Sequence, residues 1–96
     1  MLILRVLTSE PLHGYAIAQR IRMLSQEELT VEEGSLYPAL QKLLLKGWVK
    51  STAAISETGR QVREYRITAL GKKQLELELN EYRRVTHAIT TLLENA

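Results

Sequence analysis

Apolar residues recur along this chain with a rhythm that changes from segment to segment, and each change marks a boundary between elements. Leu2, Ile3, Val6 and Leu7 follow a helical rhythm that stops before Pro11, because the residue ahead of a proline is pushed out of the helical region. A second helix is predicted from about His13. There Ile17, Ile21 and Leu24 recur at four and three with Ala18 beside them, leaving Gln19, Arg20 and Arg22 on other faces. Ser25 to Glu28 is polar and reads as the end of that helix and a connection. Leu36, Leu40, Leu43 and Leu44 form the buried stripe of a third helix, which Gly47 stops. Its start falls between Thr30 and Ser35. Thr30 and Glu33 have capping-box spacing, whereas Gly34 and Pro38 argue for a start nearer the proline.

Beyond Gly47 the helical rhythm is lost. Trp48 to Ile55 is rich in β-formers, Glu57-Thr58-Gly59-Arg60 has turn composition, and Val62, Tyr65 and Ile67 continue an extended run, which predicts a β-hairpin. Thr68 is a good N-cap for a last helix from about Ala69 to Glu94. In it Leu75, Leu79, Tyr82, Thr86, Ile89 and Leu93 alternate by four and three, with Val85 and Leu92 alongside. The predicted fold class is mainly α with a small β-hairpin. Three helices, a hairpin and a further helix is the order of a winged helix-turn-helix, whose third helix enters the DNA major groove. Residues 1–68 are expected to form the DNA-binding part and residues 69–96 a dimerisation helix, within one structural domain overall.

Length strengthens the case for a partner, since a chain of 96 residues holds one small core and often needs an interface to be stable. The stripe on the last helix is wider than covering one small domain requires. A homodimer through Leu75, Leu79, Tyr82, Val85, Ile89, Leu92 and Leu93 is therefore expected. The absence of cysteine excludes disulfides and thiolate metal sites and fits a cytoplasmic setting. The apolar run from Met1 to Leu7, broken by Arg5, is too short to span a bilayer and lacks signal-peptide flanks, so a soluble protein with no membrane partner is expected.

Net charge is only +2, but its distribution is uneven. Up to Ser35, three arginines face five glutamates, and from Gln74 onward two arginines face four glutamates. Between Leu36 and Lys73, eight Lys and Arg face two Glu, a local net of +6. A basic centre between acidic flanks suits a phosphate-binding surface.

With Leu36, Leu40 and Leu43 turned inward, helical geometry puts Pro38, Gln41, Lys42 and Leu45 on the opposite face, with Tyr37 and Lys46 on its flanks. Gln41 has the chemistry to bond an adenine edge, and Lys42 to reach guanine or phosphate. Ser35, with the amides of the first turn, can hold a phosphate oxygen. Tyr37 has two readings, a phosphate contact through its hydroxyl or packing against the second helix. In the hairpin, Arg60, Gln61 and Arg63 lie within reach of phosphate or the minor groove. Arg66 and Lys72 rank lower, as structural or merely solvated charges. Trp48, just after Gly47, is expected in the core rather than stacked on an effector. His13 and His87 have no second ligand at metal spacing, and His13 fits the start of the second helix. No cofactor is expected. Glu76, Glu78 and Glu81 read as solvated charge. Without a glycine-rich phosphate loop, a cysteine nucleophile or a Ser-His-Asp context, the chain is not expected to be an enzyme.

Five local sequences, in order, resemble the PadR family of transcriptional regulators, over Leu2 to about Leu79. They are Pro11-Leu12-His13-Gly14-Tyr15, Glu33-Gly34-Ser35-Leu36-Tyr37-Pro38-Ala39-Leu40, Gly47-Trp48-Val49, Ser56-Glu57 with Arg60, and Tyr65-Arg66-Ile67-Thr68 with Gly71. Leu44, Leu45, Gln61 and Glu64 depart from the residues common in that family. The resemblance implies a winged helix whose C-terminal helix pairs with its twin on a roughly palindromic operator in double-stranded DNA, usually as a repressor, with a small-molecule effector in some members. The alternative is a winged helix used as a protein-docking module, against which the basic central segment argues.

Overall fold

The computed structural model describes residues 1–96. Its elements are α1 (Leu2–Leu7), β1 (Leu12–His13), α2 (Gly14–Leu24), α3 (Glu33–Leu45), β2 (Val49–Ile55), β3 (Gln61–Ile67) and α4 (Ala69–Asn95). Leu4, Val6 and Leu7 of α1, Ile17 and Ile21 of α2, and Leu36 and Leu40 of α3 meet in one core. Leu12, Val49 and Tyr65 of the sheet and Leu75 of α4 complete it. Leu43, Leu44 and Trp48 pack at its margin. The winged helix-turn-helix is thus three short helices and a small sheet closed by the root of a long fourth helix.

The sheet corrects the sequence reading in one respect. The hairpin of β2 and β3 is antiparallel, from Val49 opposite Ile67 to Ile55 opposite Gln61. A third strand, β1, pairs on the other edge of β3 with Leu12 opposite Tyr65 and His13 opposite Glu64, giving the order β1-β3-β2. Two residues cannot show a period, so only the long-range pairing reveals this strand. At the hairpin tip the Ser56 amide donates to the Arg60 carbonyl at 2.8 Å and the Gly59 amide to the Ser56 carbonyl at 2.9 Å. Gly59 has φ +82°, the left-handed position that closes a three-residue hairpin loop.

Helix starts follow local chemistry. His13 caps α2, its Nδ1 accepting from the Ala16 amide at 3.3 Å, and Thr68 caps α4, its Oγ1 accepting from the Gly71 amide at 3.0 Å. The Thr30–Glu33 capping box does not form. α3 starts at Glu33 after Glu32, which supplies no side-chain cap, and Pro38 lies inside the helix. The proline has no N–H to give the carbonyl four residues back, which belongs to Gly34, and no atom approaches within 4 Å of where a Gly34 side chain would begin.

The junction of α4 with the body leaves no room for a side chain at position 71. The Thr68 amide donates to the Trp48 carbonyl at 3.0 Å, and the Thr68 hydroxyl donates to the Gly47 carbonyl at 2.7 Å. A Cβ on Gly71 would lie 2.1 Å from the Trp48 carbonyl oxygen. The absent side chain is what lets α4 begin against the corner between α3 and β2.

Candidate nucleic-acid interface

α3 turns the expected side chains outward. Ser35, Pro38, Gln41, Lys42, Leu45 and Lys46 are all exposed, while Leu36 and Leu40 are sealed beneath them. Leu43 and Leu44 are half-buried, so the inward stripe is narrower than its four leucines suggest. Ser35 differs from expectation in its backbone. Its amide bonds the Glu32 carbonyl at 3.0 Å, as Leu36's does at 2.9 Å, so only the amides nearer the start of α3 remain for an anion. The last residues of the helix place Lys46 with its Nζ 4.5 Å from the centre of the Trp48 ring, a cation-π contact that shields the half-buried indole.

Tyr37 packs against the second helix, one of its two readings, and stays partly exposed. Its ring lies on α2 where a Gly14 side chain would stand, 3.0 Å from both the phenol oxygen and Cε1, yet the residue stays 44% exposed. Glycine at position 14 is what gives the ring this seat. Tyr37, Glu33, and the α2 residues Gly14, Tyr15 and Gln19 wall an open concavity of about 950 Å³, with the wing from Ala54 to Tyr65 as its other side. Tyr65 lines it and is itself buried. Burial pushes its phenol above its ordinary value and the nearby Tyr37 adds to this, while Arg63 works against them. The sequence reading passed over Tyr15 and Gln19, although both lie off the Ile17 and Ile21 stripe and are exposed.

The wing presents Arg60, Gln61 and Arg63 on the surface. Arg60 follows the Gly59 turn, where its amide also bonds the Ser56 hydroxyl at 3.2 Å. Arg63 is held from across the hairpin by the Ser51 hydroxyl at 3.0 Å, a contact invisible without the β2–β3 register. Of the eight basic residues between Leu36 and Lys73, only Arg66 approaches a carboxylate, Glu64 at 3.7 Å. In contrast, Arg20 and Arg22 of α2 are paired with Glu10 and Glu27, each at 2.7 Å. The charge that sets the central segment apart is therefore left uncompensated on the surface, where an external anion can answer it.

The second exposed surface belongs to α4. From Asn80 onward every residue of the helix is exposed, including Tyr82, Val85, Ile89, Leu92 and Leu93. Leu75 must be removed from the expected dimer residues. It is 5% exposed and packs in the core of its own domain, and Leu79 packs partly against the same cluster. The stripe runs unbroken along the helix, so its first turns are consumed by the chain itself. Elsewhere, no helix is long and apolar enough to cross a membrane.

The PadR-like transcriptional regulator family model matches residues 3–77. The chain belongs to the PadR-like family. Solved PadR-like structures share its fold. A transcriptional regulator from Clostridium thermocellum is 30% identical with a TM-score of 0.85, covering 94% of this chain and 87% of that one. A PadR family regulator from Clostridium difficile, also 30% identical, has a TM-score of 0.83 and covers 96% of this chain and 94% of its own. Bacillus subtilis PadR in complex with operator DNA is 27% identical with a TM-score of 0.72 over 81% of this chain, which spans 43% of that protein.

Proposed function

We propose that this PadR-like regulator is a cytoplasmic repressor that binds a roughly palindromic operator in double-stranded DNA as a homodimer. The supporting observation is the set of basic side chains on α3 and the wing left without carboxylate partners. In this reading Gln41, Lys42, Pro38 and Leu45 face the major groove. Arg60, Gln61 and Arg63 meet phosphate or the adjacent minor groove, while Ser35, Tyr37 and Lys46 hold the backbone at the helix flanks. The relative from Bacillus subtilis, solved in complex with operator DNA, supports this role for the fold. Residues 69–96 supply the helix through which two copies pair, along Tyr82, Val85, Ile89, Leu92 and Leu93. Pairing places two equivalent α3 helices on one duplex, and that symmetry calls for two half-sites. An effector, where one acts, would be a small molecule that changes this pairing. No catalytic role is assigned.

The test is a titration of selected and random duplexes at physiological salt. Selected DNA should bind much more tightly, and Lys42→Ala and Arg60→Ala should each weaken binding while melting like the parent. With about four to six phosphates neutralised per dimer, log affinity should fall against log salt with a slope of roughly −4 to −5. Unchanged binding by both variants would remove the assignment, and equal affinity for every duplex would favour the protein-docking alternative.

A further inference from the structure

The outward ridge of α3 has a composition that phosphate binding does not explain. Pro38, Gln41 and Leu45 follow one another at three and four residues, so they stand in line along the exposed face, with Lys42 beside them. The order along the ridge is apolar, amide, apolar, with no acidic group in it. Leu45 is 87% exposed, the most exposed large apolar residue of the chain, and it is not among the apolar residues that pack on the core. An isolated surface leucine needs no explanation. This one shares a face with the side chain best suited to reading an adenine and lies next to an unpaired lysine.

We infer that Leu45, with Pro38, reads thymine C5-methyl groups in the major groove about two steps from an adenine held by Gln41, so that the half-site contains closely spaced A·T pairs. The inference rests on the DNA-binding reading above. A glutamine amide matches the N6 and N7 edge of adenine, and the thymine methyl is the one apolar group that the bases present in that groove. One helical turn separates Gln41 from Leu45, about 6 Å along the axis. That is about two base-pair steps of about 3.4 Å, so the two side chains address pairs two steps apart in one groove. Lys42 supplies the phosphate or guanine contact that holds the ridge in the groove, and burial of Leu45 against a methyl then adds discrimination without charge.

The experiment begins with a duplex selected by the intact protein from a randomised pool. Each thymine of the half-site is then replaced by deoxyuridine, which removes only the methyl. At the contacted thymine the wild-type protein should bind about fourfold more weakly per methyl. Leu45→Ala should bind the thymine duplex more weakly than wild type, lose the difference between thymine and deoxyuridine at that position, and melt at the parent temperature. Wild-type protein indifferent to every deoxyuridine replacement overturns the inference while leaving specific DNA binding intact. So does a selected half-site without thymine, or a Leu45→Ala protein that keeps its methyl sensitivity. Failure to select any preferred duplex overturns this inference and the DNA-binding reading together.

Discussion

The two halves of α4 carry the same stripe and meet opposite fates. Near the root, Gly71 and Leu75 are buried, and α4 rests on α1 and on the corner between α3 and β2. Beyond Asn80 the stripe continues through Tyr82, Ile89 and Leu93, but the body has ended and these side chains stand in solvent. A helix of 27 residues is about 40 Å long. The core beneath it covers only the first turns. The period of the apolar positions therefore tells which face of the helix is apolar, while the length of helix beyond the body tells how much of that face the chain itself leaves uncovered.

The comparison breaks most severely at the root. Gly71→Ala drives a methyl into the Trp48 carbonyl and should destabilise the fold by about 3 kcal/mol, as judged by urea unfolding. Leu75→Ala should lose about 2–5 kcal/mol through the cavity it leaves. A comparable loss from Ile89→Ala in an isolated monomer would refute the division into halves. Next in size is Ile89→Asp with Leu92→Asp. This pair should yield a folded monomer by sedimentation at micromolar concentration, with operator affinity reduced at least about tenfold, or about 1.4 kcal/mol. A parent protein that is itself monomeric would end the pairing proposal. Thr68→Ala should cost about 1 kcal/mol, since it removes the cap on Gly71 and the bond to the Gly47 carbonyl.

The smallest effect is alkaline. Burial, with Tyr37 nearby, holds the Tyr65 phenol above its ordinary value of 10.0, against the pull of Arg63. The folded protein thus keeps the proton more tightly than the unfolded chain does. This contribution is fully present below pH 10.0 and is lost as pH rises through the raised value. Tyr65→Phe should flatten that part of the stability profile in unfolding titrations between about pH 9 and 11, and an unchanged slope would assign the alkaline loss elsewhere.

Most of the architecture was legible because its signals are local. Ile17 and Ile21, or Leu36 and Leu40, declare a buried face by spacing, Thr68 declares a helix start, and Gly59 a turn. The strand at Leu12–His13 was hidden because its partner, Tyr65, is far away in the chain. The start of α3 was hidden because Glu32 supplies no side-chain cap for it. In the candidate interface, exposure of Gln41, Lys42 and Arg60 follows from periodicity and turn chemistry. The seat of Tyr37 on Gly14 and the restraint of Arg63 by Ser51 depend on elements meeting across the fold. Leu75 was misassigned for the same reason, since a stripe gives no sign of where the body beneath it stops.

The clamp formed by Thr68 on the Gly47 and Trp48 carbonyls joins the end of α3 directly to the root of α4. The direction in which α4 leaves the body is thereby fixed at its first turn, and a difference of about 5° there would displace the tip of a helix of about 40 Å by about 3.5 Å. One residue, through its hydroxyl and its amide, thus aims a long lever.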